Sequence, residues 1–439
     1  MPINYDTNTK FLSSEMQGSL DLKNEYGSLN NLLKNVLING FNIKTILSIT
    51  YFKNTEEAII KLPLNHGYTY NQVIQLEGVS PSSYNNQYRI LEVTSESLRI
   101  KVSGVPEGVP EVTGATVKIA PLGYSIIYEN ESEGVICFKN NSIKSPAILK
   151  VIDKIPPNGY LTTWAKYARV VMGQEIDAQG NFIGNIKNPV FINSPDIENT
   201  GNGVSGITGI HGFAKWDYAI HSNSYYTEES RTGHGTYPTD WRIIGDDKTF
   251  YLMIRSQGRG NNFYNIVGFG NYISDDNSET TNVCLQARDG GVAANDNTGY
   301  SYARTRNQFG ALDATHGGFL FSNVYGKTTS LTSYGKYRCE GLSLSSVEPS
   351  MPWKSSEINS LNPSSGNWIT SHIYIKDSDN YLRGYHRGIK MLYGKETLPE
   401  GTAGPDGSLL LYVQTPYFAS STLENMPLLF TLKDWEHIE

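Results

Sequence analysis

Trp241-Arg242-Ile243-Ile244-Gly245-Asp246-Asp247-Lys248-Thr249-Phe250-Tyr251-Leu252-Met253-Ile254 decides how this chain folds. Two apolar runs flank a break at Gly245-Asp246-Asp247, and a third run, Phe263 to Gly270, follows a polar Gly-Arg-Gly-Asn-Asn spacer. Apolar runs of this length bounded by Gly and Asp read as buried strands. Gly and Asp tolerate positive φ, so the break reads as a tight hairpin turn. Phe250, Leu252 and Ile254 fall on one face of the second strand, and Tyr251 and Met253 on the other. Both faces are apolar, which predicts a hairpin inside a sheet covered on both sides.

The rest of the chain is read outward from that hairpin. At 439 residues it exceeds one ordinary core, so several domains are expected. The net charge of −7 and the lack of a basic tail argue against nucleic acid as the main partner. Cys137, Cys284 and Cys339 show no CxxC or Cys/His spacing, so neither a zinc site nor a disulfide framework is expected. Cys137, inside Val135-Ile136-Cys137-Phe138, reads as a small buried hydrophobe, and the pattern fits assembly in a reducing cytoplasm. Met1 to Lys10 lacks the apolar core of a signal peptide, and no apolar run is long enough for a membrane span.

Residues 1–26 are polar and aperiodic and read as an extended arm. A helix follows, capped by Ser28, with Leu29, Leu32, Leu33, Val36 and Leu37 as one apolar stripe and Gly40 as its stop. The arm and helix make a first unit, 1–43. Residues 44–120 carry short β-rich runs (Ile46 to Phe52, Glu57 to Leu62, Val73 to Leu76, Tyr88 to Val93, Leu98 to Val102, Ala115 to Ile119), predicting a small β-barrel or sandwich. Residues 121–345 form a larger β-sandwich-like body, with strands at Ser125 to Tyr128, Val135 to Phe138, Ala147 to Ile152 and Tyr167 to Met172. Its long polar loops include Asn193 to Lys215, Ser222 to Pro238, Asp275 to Thr281 and Asp289 to Asn307. Residues 346–439 supply the last strands and complete that body, with Trp435 pinning the C-terminus. The expected class is therefore mainly β and multidomain, with no solenoid or propeller period.

Several constellations could carry chemistry. His211, His221 and His234 lie near Asp217 and Asp240, a donor set that suits divalent metals, but the Gly-flanked spacing reads as turn hydrogen bonding. His66 and His386 read as structural turn residues. Asp246-Asp247 invites a carboxylate-pair reading, but adjacent strand residues point to opposite faces, so turn formation is favoured. Gly258-Arg259-Gly260 and Gly201-Asn202-Gly203 do not join a strand to a helix as phosphate-binding loops do, and GxSxG is absent. No catalytic, cofactor-binding or metal residue is assigned. The tyrosine pairs are the better signal: Tyr225 and Tyr226, Tyr300 and Tyr302, and Tyr334 and Tyr337 are the interface candidates, with Tyr381 and Tyr385 a further pair.

The segments Gly27–Ile46 (GSLNNLLKNVLINGFNIKTI) and Asn65–Val102 (NHGYTYNQVIQLEGVSPSSYNNQYRILEVTSESLRIKV) resemble the N-terminal part of virion structural proteins of tailed bacteriophages. The likeness continues at Pro121–Tyr124, Ala147–Asp153, Ala168–Ile176, Trp241–Ile254 and Tyr381–Tyr393. This chain has Asn86 where many of that family have Gly, and Tyr124 where they have Trp. The resemblance implies a building block of a phage tail or baseplate that works by oligomeric assembly. The implied location is the virion, and the implied partners are copies of itself and other virion proteins. Alternatives are a capsid decoration protein, a receptor- or glycan-binding tail module that meets a host surface glycan, and a glycan hydrolase. Enzymatic activity is not expected.

Overall fold

The computed structural model describes residues 6–155, 166–183, 187–188, 214–218, 238–255, 264–274, 282–289, 318–321, 338–342, 369–376, 382–393, 410–419, 422–432 and 435. The chain is mainly β, and its described residues build three antiparallel sheets.

The first sheet runs in the order Phe41–Thr45, Thr116–Ile119, Val73–Glu77, Gln87–Val93, Ser97–Lys101, Glu57–Lys61, Ser48–Phe52. The first and last strands of that order are consecutive in the chain, joined by Ile46 and Leu47. The amide of Ile46 bonds the Ala115 carbonyl on one side and that of Leu47 bonds the Lys61 carbonyl on the other. The continuous segment Phe41–Phe52 thus bridges the two ends of the order, and the sheet curls into a small barrel. Register shifts at Phe41/Lys44 and Ile90/Glu92 sit on the two strands that turn its corners. Alternation fills the inside with Ile49, Ala58, Ile60, Ile74, Leu76, Ile90, Leu98, Ile100, Val117 and Ile119, all buried.

The expected helix spans Ser28–Lys34 and widens into a π-helical turn, Asn35–Asn39. Its stripe of Leu29, Leu32, Leu33, Val36 and Leu37 is buried as expected. Gly40 ends it at φ 71°, where a Cβ would lie 2.2 Å from the Ile119 carbonyl oxygen of the barrel. The cap differs from the expectation. Gly27 occupies the N-cap position and Ser28 is already helical; the Ser28 hydroxyl accepts from the Lys23 amide instead. The helix amides are met by a carboxylate from a distant strand, described below.

The second sheet runs Arg288–Asp289, Ala214–Asp217, Tyr167–Gly173, Ile148–Ile152, Val135–Lys139, Ser125–Asn130, with Lys187–Asn188 also paired to Tyr167–Gly173. Ala214 and Lys215, expected in a loop, lie in a strand here. Every residue of Ile148–Ile152 and Tyr167–Gly173 is buried, so both faces are covered and no alternation shows in the sequence. Cys137 is fully buried in this sheet, as its apolar neighbours suggest.

The third sheet has twelve strands. Its order is Lys10–Ser13, Trp241–Gly245, Thr249–Arg255, Tyr264–Asn271, Val283–Gln286, Gly318–Phe321, Arg338–Leu342, Ile369–Lys376, Leu382–Tyr393, Thr422–Thr431, Leu410–Ala419. Ile273–Ser274 pairs with Leu382–Tyr393 off that path. The sheet folds back on itself, bringing Tyr264–Asn271 against Leu410–Ala419. One face of the central hairpin (Ile244, Tyr251, Met253) packs with Ile389, Met391, Leu411, Val413, Leu428, Phe430 and Trp435. The other face (Ile243, Phe250, Leu252, Ile254) packs into a cluster shared with the helix, the barrel and the second sheet. The hairpin is therefore interior and covered on both sides, as its two apolar faces require. Each such buried side chain contributes about 1.5–3 kcal/mol. Trp435 is 2% exposed, so the C-terminal region is pinned as expected.

Two local expectations need correction. The turn uses no positive φ at Gly245, Asp246 or Asp247. It is held by the Asp246 carboxylate, whose Oδ1 accepts from the amides of Lys248 and Thr249, both at 2.9 Å. The N-terminal segment is not merely an aperiodic arm. From Asp6 onward it lies on its own chain, with Lys10–Ser13 paired antiparallel to Trp241–Gly245 and Leu22 fully buried. Four paired residues are too short a run for periodicity to reveal.

Candidate functional site

Tyr225, Tyr226, Tyr300, Tyr302, Tyr334 and Tyr337, with His211, His221 and His234 and both glycine loops, lie outside the described residues.

The Asp246-Asp247 pair separates. Asp246 points inward and forms an ion pair with Arg387 (2.7 Å), both side chains being almost fully buried. Asp247 points outward, and its Oδ2 accepts from Asn141 Nδ2 at 2.8 Å. The two carboxylates have different partners and do not share a proton. Arg387 also lies 5.8 Å from the centre of the Trp435 ring, and its Nη2 donates to the Trp435 carbonyl. Tyr251 closes the node by donating to the Arg387 carbonyl at 3.0 Å. One buried charge pair therefore ties the hairpin turn to the C-terminal layer.

A second node sits at the helix. Asp153, 2% exposed, follows the strand Ile148–Ile152. Its Oδ2 accepts from the amides of Leu29 (3.0 Å) and Asn30 (3.2 Å), supplying the cap that Ser28 does not. Its Oδ1 accepts from the Tyr218 hydroxyl at 2.7 Å, and that hydroxyl also lies 3.0 Å from the Glu25 carbonyl. Burial pushes the Asp153 carboxyl up to about 6, against the hydrogen bonds from Tyr218, Asn30, Leu29 and Gly27, which pull it down. The folded chain thus keeps a proton that the unfolded chain has lost. This contribution to stability is complete below about pH 4, declines as pH rises, and is gone above about pH 6. The expected loss is on the order of 3 kcal/mol, read as urea-unfolding stability across that range. Asp153→Asn should flatten this segment of the profile; parallel profiles for the two proteins would refute the assignment.

Other buried polar groups also join segments. Asn140 Nδ2 donates to Asn271 Oδ1 (3.0 Å), and the Asn282 amide donates to Ser145 Oγ (3.1 Å), linking the second sheet to the third. Gln286 Nε2 lies 2.8 Å from Cys284 Sγ and 3.4 Å from His386 Nε2. Burial lowers His386 to about 3, so its ring is neutral. His66 uses both ring nitrogens on the backbone: Nδ1 accepts from the Tyr68 amide and Nε2 meets the Thr94 carbonyl. Asp240 pairs with Arg255. No group of three His, Cys, Asp or Glu side chains that could hold a metal occurs among the described residues, and no described helix is long and apolar enough to cross a membrane.

No protein-family model matches this chain, and no curated protein matches it. Sequence reasoning missed as organising residues Asp153, Arg387 and Arg89, whose Nη2 donates to the Thr9 carbonyl at 2.8 Å. Their partners lie tens to hundreds of positions away, and nothing in local spacing marks them.

Proposed function

We propose that this chain is a structural component of a tailed-bacteriophage particle, in the tail or its baseplate region, acting by oligomeric assembly with copies of itself and other virion proteins. The reading starts from the resemblance carried by Gly27–Ile46 and Asn65–Val102. The observation that supports it best is how the described buried charges are used. Asp153, Arg89 and the Asp246–Arg387 pair each fasten segments far apart in the chain. This chemistry suits a rigid block whose work is done at its surface. Such a block presents its contact residues from a fixed frame, and the central hairpin is packed on both faces.

Mass measurement on the purified full-length chain at micromolar concentration tests the reading. The expected result is a closed ring or trimer whose interfaces each bury at least about 1,000 Å². A stable monomer that cleaves capsular glycan would overturn it.

A further inference from the structure

The edge of the twelve-stranded sheet holds an inference about how copies meet. Trp241–Gly245 is buried along its whole length, so its outward row of N–H and C=O groups needs a strand beside it. Lys10–Ser13 fills that place, Ser13 facing Arg242 and Lys10 facing Gly245. Phe11 packs into the core on one face and Leu12 into the core on the other.

The filling strand fits poorly by the measure of its polar groups. Lys10 is 4% exposed, yet the acceptor its ammonium reaches is the Asn8 carbonyl of the same segment, at 3.3 Å. The Thr9 hydroxyl is buried without a hydrogen-bond partner among the described residues. Arg89, 5% exposed, holds the segment through carbonyls, donating to those of Asp6 and Thr9 as well as to Asn71. A buried ammonium and an unmet hydroxyl both oppose docking. Burial lowers Lys10 to about 8; Asp246 and Asp247 raise it, Arg89 lowers it and Asp6 raises it. Because the folded state holds fewer protons than the unfolded state up to the ordinary value of 10.5, docking strengthens as pH rises from about 8. At neutral pH the penalty is complete. Behind the strand, Glu15, Gln17 and Gly18 are exposed and form a turn that can act as a hinge.

The geometry points to Lys10–Ser13 as an exchangeable strand that leaves its own edge and fills the Trp241–Gly245 edge of a second copy. The edge shows that this sequence fits it in one register, so an identical strand from a neighbour fits with the same contacts. The inference rests on the assembly reading above and specifies one contact within it.

Two full-length variants test it, one carrying Ser13→Cys and the other Arg242→Cys, mixed and oxidised. Facing residues of paired strands lie within disulfide reach. Exchange gives a covalent dimer containing one of each variant, absent when either is oxidised alone. If oligomers form but no mixed dimer appears, the assembly reading stands and exchange is overturned. If the chain is monomeric and no mixed dimer appears, both fall. Hydrogen exchange gives an independent measure. The amides of Lys10–Ser13 should exchange faster than those of Leu252 and Met253, and Lys10→Met should slow them by about 10- to 100-fold. Equal protection of the two strands in the unaltered chain would also overturn the inference.

Discussion

Asp246→Ala should lower the stability of the chain by about 3–5 kcal/mol, read as the urea-unfolding midpoint, while Asp247→Ala should change it by no more than about 0.5 kcal/mol. The adjacent carboxylates differ because of where they point. Asp246 is 2% exposed and its carboxylate serves two structures at once. Oδ1 closes the hairpin turn on the amides of Lys248 and Thr249, and Oδ2 meets Arg387. Its removal takes away the carboxylate that faces a guanidinium 2% exposed, under Trp435 and the C-terminal layer. The lost pairing of that buried charge is the larger part of the loss. Adding Arg387→Met to Asp246→Ala should therefore recover a substantial part of the stability, because the second change removes the buried charge and keeps most of the apolar stem. Equal effects for Asp246→Ala and Asp247→Ala, or no recovery in the double variant, would show that the ion pair does not hold the layers together.

The same pair shows how far the sequence reaches. The hairpin was legible because its chemistry is local: two apolar faces on Phe250–Ile254 and a Gly-Asp-Asp break. The barrel strands were legible for the same reason, since Ile-x-Ile and Leu-x-Ile alternations such as Leu98-Arg99-Ile100 show a half-buried strand. Phe41–Thr45 is hidden as a strand because it starts directly after the helix stop at Gly40 and its burial does not alternate. The sequence could not tell that Asp246 faces an arginine 141 positions on, or that Asp153 caps a helix 123 or 124 positions before it. A charged residue at a strand end looks the same whether it meets solvent or a distant partner. The N-terminal strand was hidden differently. Its apolar content is Phe11 and Leu12 alone, and they point to opposite cores, so no stripe or alternation rises above its polar neighbours. The tyrosine candidates remain a reading of composition.

Gly388→Ala should be costly for a reason that only the folded structure shows. Gly388 has φ 69°, the left-handed region, where a Cβ costs about 1–2 kcal/mol by itself. A Cβ there would also lie 2.1 Å from the Trp435 ring, well inside contact distance. That ring cannot yield freely. It is 2% exposed, its Nε1 donates to the Thr431 carbonyl at 2.8 Å, and Tyr251 and Arg387 pack around it. Overpacking of a filled core typically adds about 1–3 kcal/mol, so a total loss of about 2–5 kcal/mol is expected from urea unfolding. A double-variant cycle separates the two contributions. With Trp435→Ala already in place, the ring is gone and only the backbone part remains, so adding Gly388→Ala should then cost about 1–2 kcal/mol. If Gly388→Ala costs the same with and without Trp435, the close approach of the ring does not govern this position, and the C-terminal layer is held to the hairpin by something other than the Arg387–Trp435 stack.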